Sequence, residues 1–83
     1  MEPDRIAALI QAGLPEATVK VTGDGRHFEA VVISDQFAGK SPVQRQRLVM
    51  NTVRAQIESG ELHALSIKTL LPAGTVDGGT GTP

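Results

Sequence analysis

The feature that most constrains this chain is the absence of cysteine from a sequence of only 83 residues. A domain of this size buries only about 60% of the surface that its unfolded chain exposes, and small domains often rely on disulfides or metal sites. Without a thiol, the chain forms no disulfide, no zinc or iron–sulfur site from its own thiolates, and no cysteine nucleophile. The sequence therefore predicts one domain that is held together by its apolar core.

Charge and hydropathy exclude further classes of protein. Eight basic and nine acidic side chains give a net charge of −1, which argues against affinity based on broad phosphate neutralisation but allows a local basic patch. No apolar run approaches the roughly 18 residues of a membrane span. The acidic start, Met1-Glu2-Pro3-Asp4, differs from the basic start of a secretory signal. We therefore expect a cytoplasmic protein without a membrane segment.

The first third of the chain has the pattern of a helix followed by a hairpin. Apolar residues at helical spacing predict a helix over residues 3–12, and alternation predicts strands over residues 17–22 and 27–33. Gly23-Asp24-Gly25 lies between the strands and favours a turn, because Asp-Gly tolerates positive φ. The second strand ends in Val31-Val32-Ile33, which is apolar on both faces and typical of a central strand.

A capping box marks the start of the second helical segment. Ser41-Pro42-Val43-Gln44 places a capping hydroxyl, a proline and an amide at the N-cap, N1 and N3 positions. The helical pattern runs to about residue 59, with Phe37 as the apolar anchor of the preceding loop. Because Asn51-Thr52 can cap a second helix, this segment is predicted as either one helix or two. The residues predicted to share its apolar face are Val43, Met50, Val53 and Ile57.

A third strand is predicted over residues 62–71, with Leu62 and Ala64 on one face and His63 and Leu65 on the other. The order α-β-β-α-(α)-β predicts an α+β sandwich with helices on one face of a three-stranded sheet. The helical crossover makes the second and third strands parallel if they are adjacent, so the sheet is mixed. We expect a domain over residues 1–72 and a disordered Gly/Thr-rich tail over residues 73–83.

Two histidines are the candidates for metal chemistry. His27 starts the second predicted strand and His63 starts the third. If these strands are parallel neighbours, both imidazoles lie near the same end of the sheet. Two imidazoles form half of a metal site, and the other ligands must come from elsewhere. Two alternatives stay open: two ordinary surface or half-buried histidines, or a pH-responsive interaction module.

No other constellation predicts catalysis. Ser41 is explained as a helix cap, and Gly39-Lys40-Ser41 resembles the end of a P-loop but has Ser34 where the upstream glycine is required. The basic cluster consists of Lys40, Arg45 and Arg47, with Arg54 further along. This cluster suits either a solvated helix face or a helix-turn-helix over residues 39–54 that contacts phosphates.

Three segments of the chain resemble the BolA family. They are residues 23–28 (Gly-Asp-Gly-Arg-His-Phe), 37–47 (Phe-Ala-Gly-Lys-Ser-Pro-Val-Gln-Arg-Gln-Arg) and 62–69 (Leu-His-Ala-Leu-Ser-Ile-Lys-Thr). The first segment is most similar to the IbaG-like bacterial branch. The resemblance covers residues 3 to about 72 and implies an α-β-β-α-α-β fold similar to the type II KH fold. The RNA-binding Gly-x-x-Gly loop of KH domains is missing.

This resemblance implies a protein that is not an enzyme and that binds a monothiol glutaredoxin of the CGFS type. In the family the two proteins share a [2Fe–2S] cluster, whose thiolates come from glutaredoxin and glutathione. The implied ligands are His63 from the third strand and His27 from the loop between the first two. Lys40, Arg45 and Arg47 are expected to contact glutathione or an acidic partner surface. We expect a monomer alone, a heterodimer with its partner, and a role in cluster trafficking or in iron and stress regulation.

The chain departs from the family pattern at two places. Many members have Arg-His-Arg in the second helix, where this chain has Arg45-Gln46-Arg47, so the resemblance assigns no role to the middle position. The acidic and aromatic residues that usually follow the final Thr-x-x-Pro are absent after Pro72. Some members are linked to DNA binding and transcriptional control. The competing hypothesis is therefore a DNA-binding regulator that uses residues 39–54.

Overall fold

The computed structural model describes residues 1–72, which form a three-stranded sheet with helices packed on one face. The elements are α1 (Pro3–Gly13), β1 (Thr18–Gly23), β2 (His27–Ile33), a short 3₁₀ helix (Asp35–Phe37), α2 (Pro42–Thr52), α3 (Arg54–Glu58) and β3 (Ala64–Leu70). The α+β class and the element order confirm the sequence prediction. Within these residues no helix is long and apolar enough to cross a membrane. The predicted tail, residues 73–83, lies outside the described part of the chain.

The sheet has β2 at its centre, as its apolar composition predicts. β1 pairs with β2 in antiparallel register, with Gly23 opposite Phe28. β3 pairs with the other side of β2 in parallel register, with His27 opposite Ala64. The chain therefore makes a hairpin and then crosses over through the helices, so the mixed sheet is confirmed.

The core lies between the inner face of the sheet and the helices. Phe28, Ala30 and Val32 alternate along β2 and are buried there. α1 contributes Ile6 and Ile10, which are fully buried as their spacing predicts. Phe37 is also fully buried, which confirms it as the anchor of its loop.

The capping box of α2 is formed as predicted. The Ser41 hydroxyl accepts from the Gln44 N–H at 3.2 Å, and the Gln44 side-chain oxygen accepts from the Ser41 N–H at 2.9 Å.

The predicted apolar face of α2 was wrong at Val43, which is 58% exposed, whereas Val49 is fully buried. Since six helical steps turn a side chain by about 240° net, Val43 points away from the core that Val49 enters.

The second helical segment is two helices, one of the two arrangements that the sequence left open. The break falls at Val53, which is fully buried. The predicted cap at Asn51-Thr52 was wrong: the residue before α3 is Val53, and it makes no side-chain cap. The Thr52 hydroxyl instead donates to the Val49 carbonyl at 2.6 Å, a bond that competes with the helical backbone pattern.

The third strand begins at Ala64, two residues later than predicted. Leu62 is 1% exposed, and its N–H donates to the Gln56 carbonyl at 3.0 Å. Leu62 therefore belongs to the core and to the loop after α3, and its predicted place in the third strand was wrong. His63 is exposed and directly precedes the strand.

Candidate functional site

The fold brings the two histidines to the same end of the sheet. His27 is the first residue of β2 and is opposite Ala64, so His63 precedes that pair by one residue on the neighbouring strand. Neighbouring strands are about 4.8 Å apart. His27 and His63 line a surface cleft of about 330 Å³, together with Arg26 and Ala64. The predicted juxtaposition of His27 and His63 is therefore present, while their role as metal ligands stays a prediction.

The turn between β1 and β2 holds the start of β2 through a single carboxylate. Oδ1 of Asp24 accepts from the backbone N–H groups of Arg26 and His27, both at 2.9 Å. The Asp24 N–H donates to the His27 carbonyl at 3.2 Å. Gly25 has a φ of 100°, which glycine adopts without strain. These bonds fix the backbone that carries His27 and Arg26.

The last residue of β1 is a glycine because another side chain occupies the space beside it. A Cβ on Gly23 would lie 2.4 Å from a ring carbon of Phe28 and 2.7 Å from the His27 carbonyl oxygen. Phe28 is buried, whereas the side chain of His27 is 80% exposed. The contact with Gly23 keeps the ring inward, and alternation along β2 turns His27 outward.

The segment before His63 is held at two points. Leu62 is buried in the core, and Glu61 forms an ion pair with Arg5 of α1 at 2.7 Å. The Glu61 N–H also donates to the Ser59 hydroxyl at 3.3 Å. Glu61, the carboxylate nearest to His63 along the chain, is thus paired with the Arg5 guanidinium. His63 itself remains exposed.

Hydrogen bonding lowers the pKa of Asp24 below its ordinary value of 3.8. The principal cause is the bond from the His27 N–H, followed by the bond from the Arg26 N–H. The other carboxylate oxygen lies 4.0 Å from Nδ1 of His27, so a protonated imidazole also favours the charged carboxylate. Asp24 is therefore ionised near neutral pH.

Acidification is expected to loosen this turn. Because the pKa of Asp24 is lower in the folded chain than 3.8, its stabilising contribution is complete above that value and is lost as pH falls through the folded pKa. Asp24→Asn retains an oxygen acceptor but does not titrate. Between about pH 4 and pH 2, NMR shifts of the Arg26 and His27 amides should move in the wild type and not in the variant. Equal movement in both proteins would contradict this account.

The predicted basic cluster lies apart from the histidine cleft. Lys40 and Arg47 are exposed, and Nε–H of the half-buried Arg45 donates to the Lys40 carbonyl at 3.0 Å. These residues follow the loop that leaves β2 at Ile33, about 20 Å along the strand from His27. None of the three is among the described residues that line the cleft.

Sequence reasoning missed Arg26 at the site. Arg26 lines the same cleft as both histidines. Its position next to His27 in the turn was the available signal, but neighbouring residues in a turn do not generally share a face. The structure is needed to see that Arg26 and the two histidines border one space.

The histidine cleft holds an incomplete set of metal ligands. Across residues 1–72, no three His, Cys, Asp or Glu side chains come close enough together to hold a metal ion. Two imidazoles alone leave most coordination positions open. A metal group at this cleft therefore requires ligands from another molecule.

Comparison with known proteins gives consistent matches. The family model described as BolA-like protein matches residues 11–73. Acid stress protein IbaG of Escherichia coli is 34% identical over 73 residues, which cover 88% of this chain and 87% of that protein. A BolA homologue from Coxiella burnetii superposes with a TM-score of 0.78 at 41% identity, covering 87% of this chain and 92% of the other. The BolA domain of SufE1 from Arabidopsis thaliana gives a TM-score of 0.74 at 32% identity, covering 88% and 94%.

Proposed function

The chain belongs to the BolA family, and from that premise we propose that it is a non-enzymatic adaptor that binds a monothiol glutaredoxin of the CGFS type. Together the two proteins hold a bridging [2Fe–2S] cluster, with His63 and His27 as the ligands from this chain. The observation that carries the proposal is a pair of histidines bordering one exposed cleft in a chain without thiols. The adaptor serves cluster trafficking or iron and stress regulation.

The donor set fits such a shared cluster. A [2Fe–2S] cluster has four protein ligand positions, and in Rieske centres two of them are imidazoles. This chain offers two imidazoles, so one thiolate from glutaredoxin and one from glutathione complete the set. Such a cluster supplies one-electron redox chemistry or is itself passed on, and imidazole ligation raises its reduction potential relative to four thiolates.

The exposure of the site suits ligands that act between two proteins. The His27 side chain is 80% exposed, and His63 is exposed at the adjoining strand end. The backbone beneath them is held by the Asp24 turn and by buried Leu62. The imidazoles are thus accessible to a partner while their main chain is fixed. The SufE1 relative, named as a domain of another protein, supports a role exerted on a protein partner.

The proposal is tested by mixing the wild-type chain with a monothiol glutaredoxin that carries a [2Fe–2S] cluster. The expected result is a 1:1 heterodimer on gel filtration, with altered visible absorption and circular dichroism because imidazoles replace thiolates. Cluster-free glutaredoxin is the control, and its mixture with the chain should show no visible absorption. Failure to form a heterodimer, together with an unchanged spectrum, would reject the proposal.

A DNA-binding regulator receives less support from the fold. A helix-turn-helix joins two helices through a turn of three or four residues, whereas residues 39–54 contain α2 and then the single break residue Val53. The helix that follows, α3, has five residues. The DNA hypothesis predicts salt-dependent binding that is lost in Arg45→Ala or Arg47→Ala and kept in His63→Ala. A gel-shift series with these three variants separates the two functions.

A further inference from the structure

We infer that Arg26 makes the histidine cleft selective for the acidic surface of a protein partner and against a free divalent cation. This inference rests on the proposed function. It identifies Arg26 as the residue that lets the cleft bind the partner's metal group and disfavours metal ions from solution. The geometric basis is that Arg26 borders the same space as both imidazoles.

The fixed charge in this cleft is positive, although the chain as a whole has a net charge of −1. The lining consists of Arg26, the two histidines and Ala64, without a carboxylate. A guanidinium stays protonated at any physiological pH. Across the described residues, no carboxylate lies within ion-pair distance of the Arg26 side chain.

The neighbouring carboxylates are engaged elsewhere. Asp24 borders the adjoining cleft with Glu29 and Ser66, and its Oδ1 accepts two backbone N–H groups of the turn. Its Oδ2 faces Nδ1 of His27 at 4.0 Å. Glu61 is paired with Arg5. Asp24 keeps its negative charge but lines the adjoining cleft, so Arg26 carries the one permanent charge among the described residues that line the histidine cleft.

A fixed positive charge next to the imidazoles has opposite effects on two kinds of ligand. It repels a bare divalent cation that approaches the histidines, and it attracts a partner surface that presents carboxylates or thiolates around its metal. Both effects require only the permanent charge of Arg26. Removing that charge without adding a metal ligand should therefore move the two affinities in opposite directions, which a purely structural role would not do.

The test compares Arg26→Gln with Lys20→Gln, a control that changes the net charge by the same amount. Lys20 is exposed on β1, opposite Val31, and does not line the cleft. Two affinities are measured at low salt: that for cluster-loaded monothiol glutaredoxin, and that of the free chain for Co²⁺, followed by NMR of the imidazoles. Arg26→Gln should bind the glutaredoxin about threefold more weakly and Co²⁺ about fivefold more tightly than the wild type. Lys20→Gln should change each affinity by less than about twofold.

The outcomes distinguish this inference from the proposed function. If wild-type protein does not bind the loaded glutaredoxin, the proposed function fails, and the Co²⁺ series still tests whether Arg26 repels cations. If wild type binds and Arg26→Gln matches Lys20→Gln in both affinities, the inference is overturned. Opposite shifts that shrink at about 0.5 M salt, where the Debye length is only about 4 Å, support it.

Discussion

Replacing His63 with alanine is expected to abolish the altered visible spectrum of the complex with cluster-loaded glutaredoxin. His63 is exposed, directly precedes β3, and supplies one of the two imidazoles that border the cleft. Without it, the chain offers a single ligand, and the cluster loses a coordination position that no cysteine of this chain can fill. Visible circular dichroism should then match that of the glutaredoxin without this protein. A wild-type spectrum from His63→Ala would reject the ligand assignment.

His63→Cys tests whether position 63 acts as a metal ligand or only contributes to the shape of the binding surface. A thiolate is also a ligand of [2Fe–2S] clusters, so this variant should restore cluster binding with a thiolate-like spectrum and a lower reduction potential than the wild type. Since His63 is exposed, both substitutions should leave the melting temperature within a few degrees of the wild type. Loss of the spectrum in His63→Ala with rescue in His63→Cys would identify position 63 as a ligand.

His27→Ala tests the second ligand and should have a graded effect. His27 lines the cleft and directly follows the turn between β1 and β2. The Asp24 hydrogen bonds that hold its backbone do not involve its ring. The alanine variant therefore keeps the turn and loses only the imidazole. We expect a shifted spectrum or a cluster that is lost more rapidly, followed as the decay of visible absorption after mixing.

The hairpin and the helical crossover could be predicted because local residue choices fix them. Asp24 and Gly25 together form a turn of defined length, and the capping box at Ser41 starts a helix that must cross the sheet. Given those two features, β2 and β3 become parallel neighbours and the two histidines come to one end of the sheet. The position of the candidate site thus follows from short-range signals and one rule of topology.

The details that sequence reasoning missed depend on packing between distant segments. Leu62 leaves the strand pattern because the core accepts its side chain and Gln56 accepts its N–H. Val43 has the residue type of a core position, but it lies on the side of α2 away from buried Val49. Arg26 lines the cleft because the turn and the start of β3 come together in space. None of these has a local sequence pattern of its own.

Phe37→Ala is expected to lower the free energy of unfolding of this domain strongly. Phe37 has the largest of the fully buried side chains, and removing such a ring costs about 3–5 kcal/mol through lost transfer energy and the remaining cavity. Typical stabilities of about 0.05–0.15 kcal/mol per residue give a domain of 72 residues roughly 4–11 kcal/mol in total. The variant should therefore melt about 15–30 °C below the wild type in a thermal scan followed by far-UV circular dichroism.

The large effect arises because the loop around Phe37 is tied to several parts of the fold. The Ser34 hydroxyl accepts from the Gln36 N–H at 3.1 Å and donates to Glu16, and the Ser34 N–H donates to the Leu70 carbonyl at 3.1 Å. These bonds hold the backbone in place and prevent the loop from collapsing into the cavity.

Val43→Ala, at a 58% exposed position, is the matched control and should lower the free energy of unfolding by less than about 0.5 kcal/mol. If both variants melt within a few degrees of each other, Phe37 does not anchor the core. A large difference would show that the buried ring of Phe37 contributes a large share of the stability of this domain, which has no disulfide to support its core.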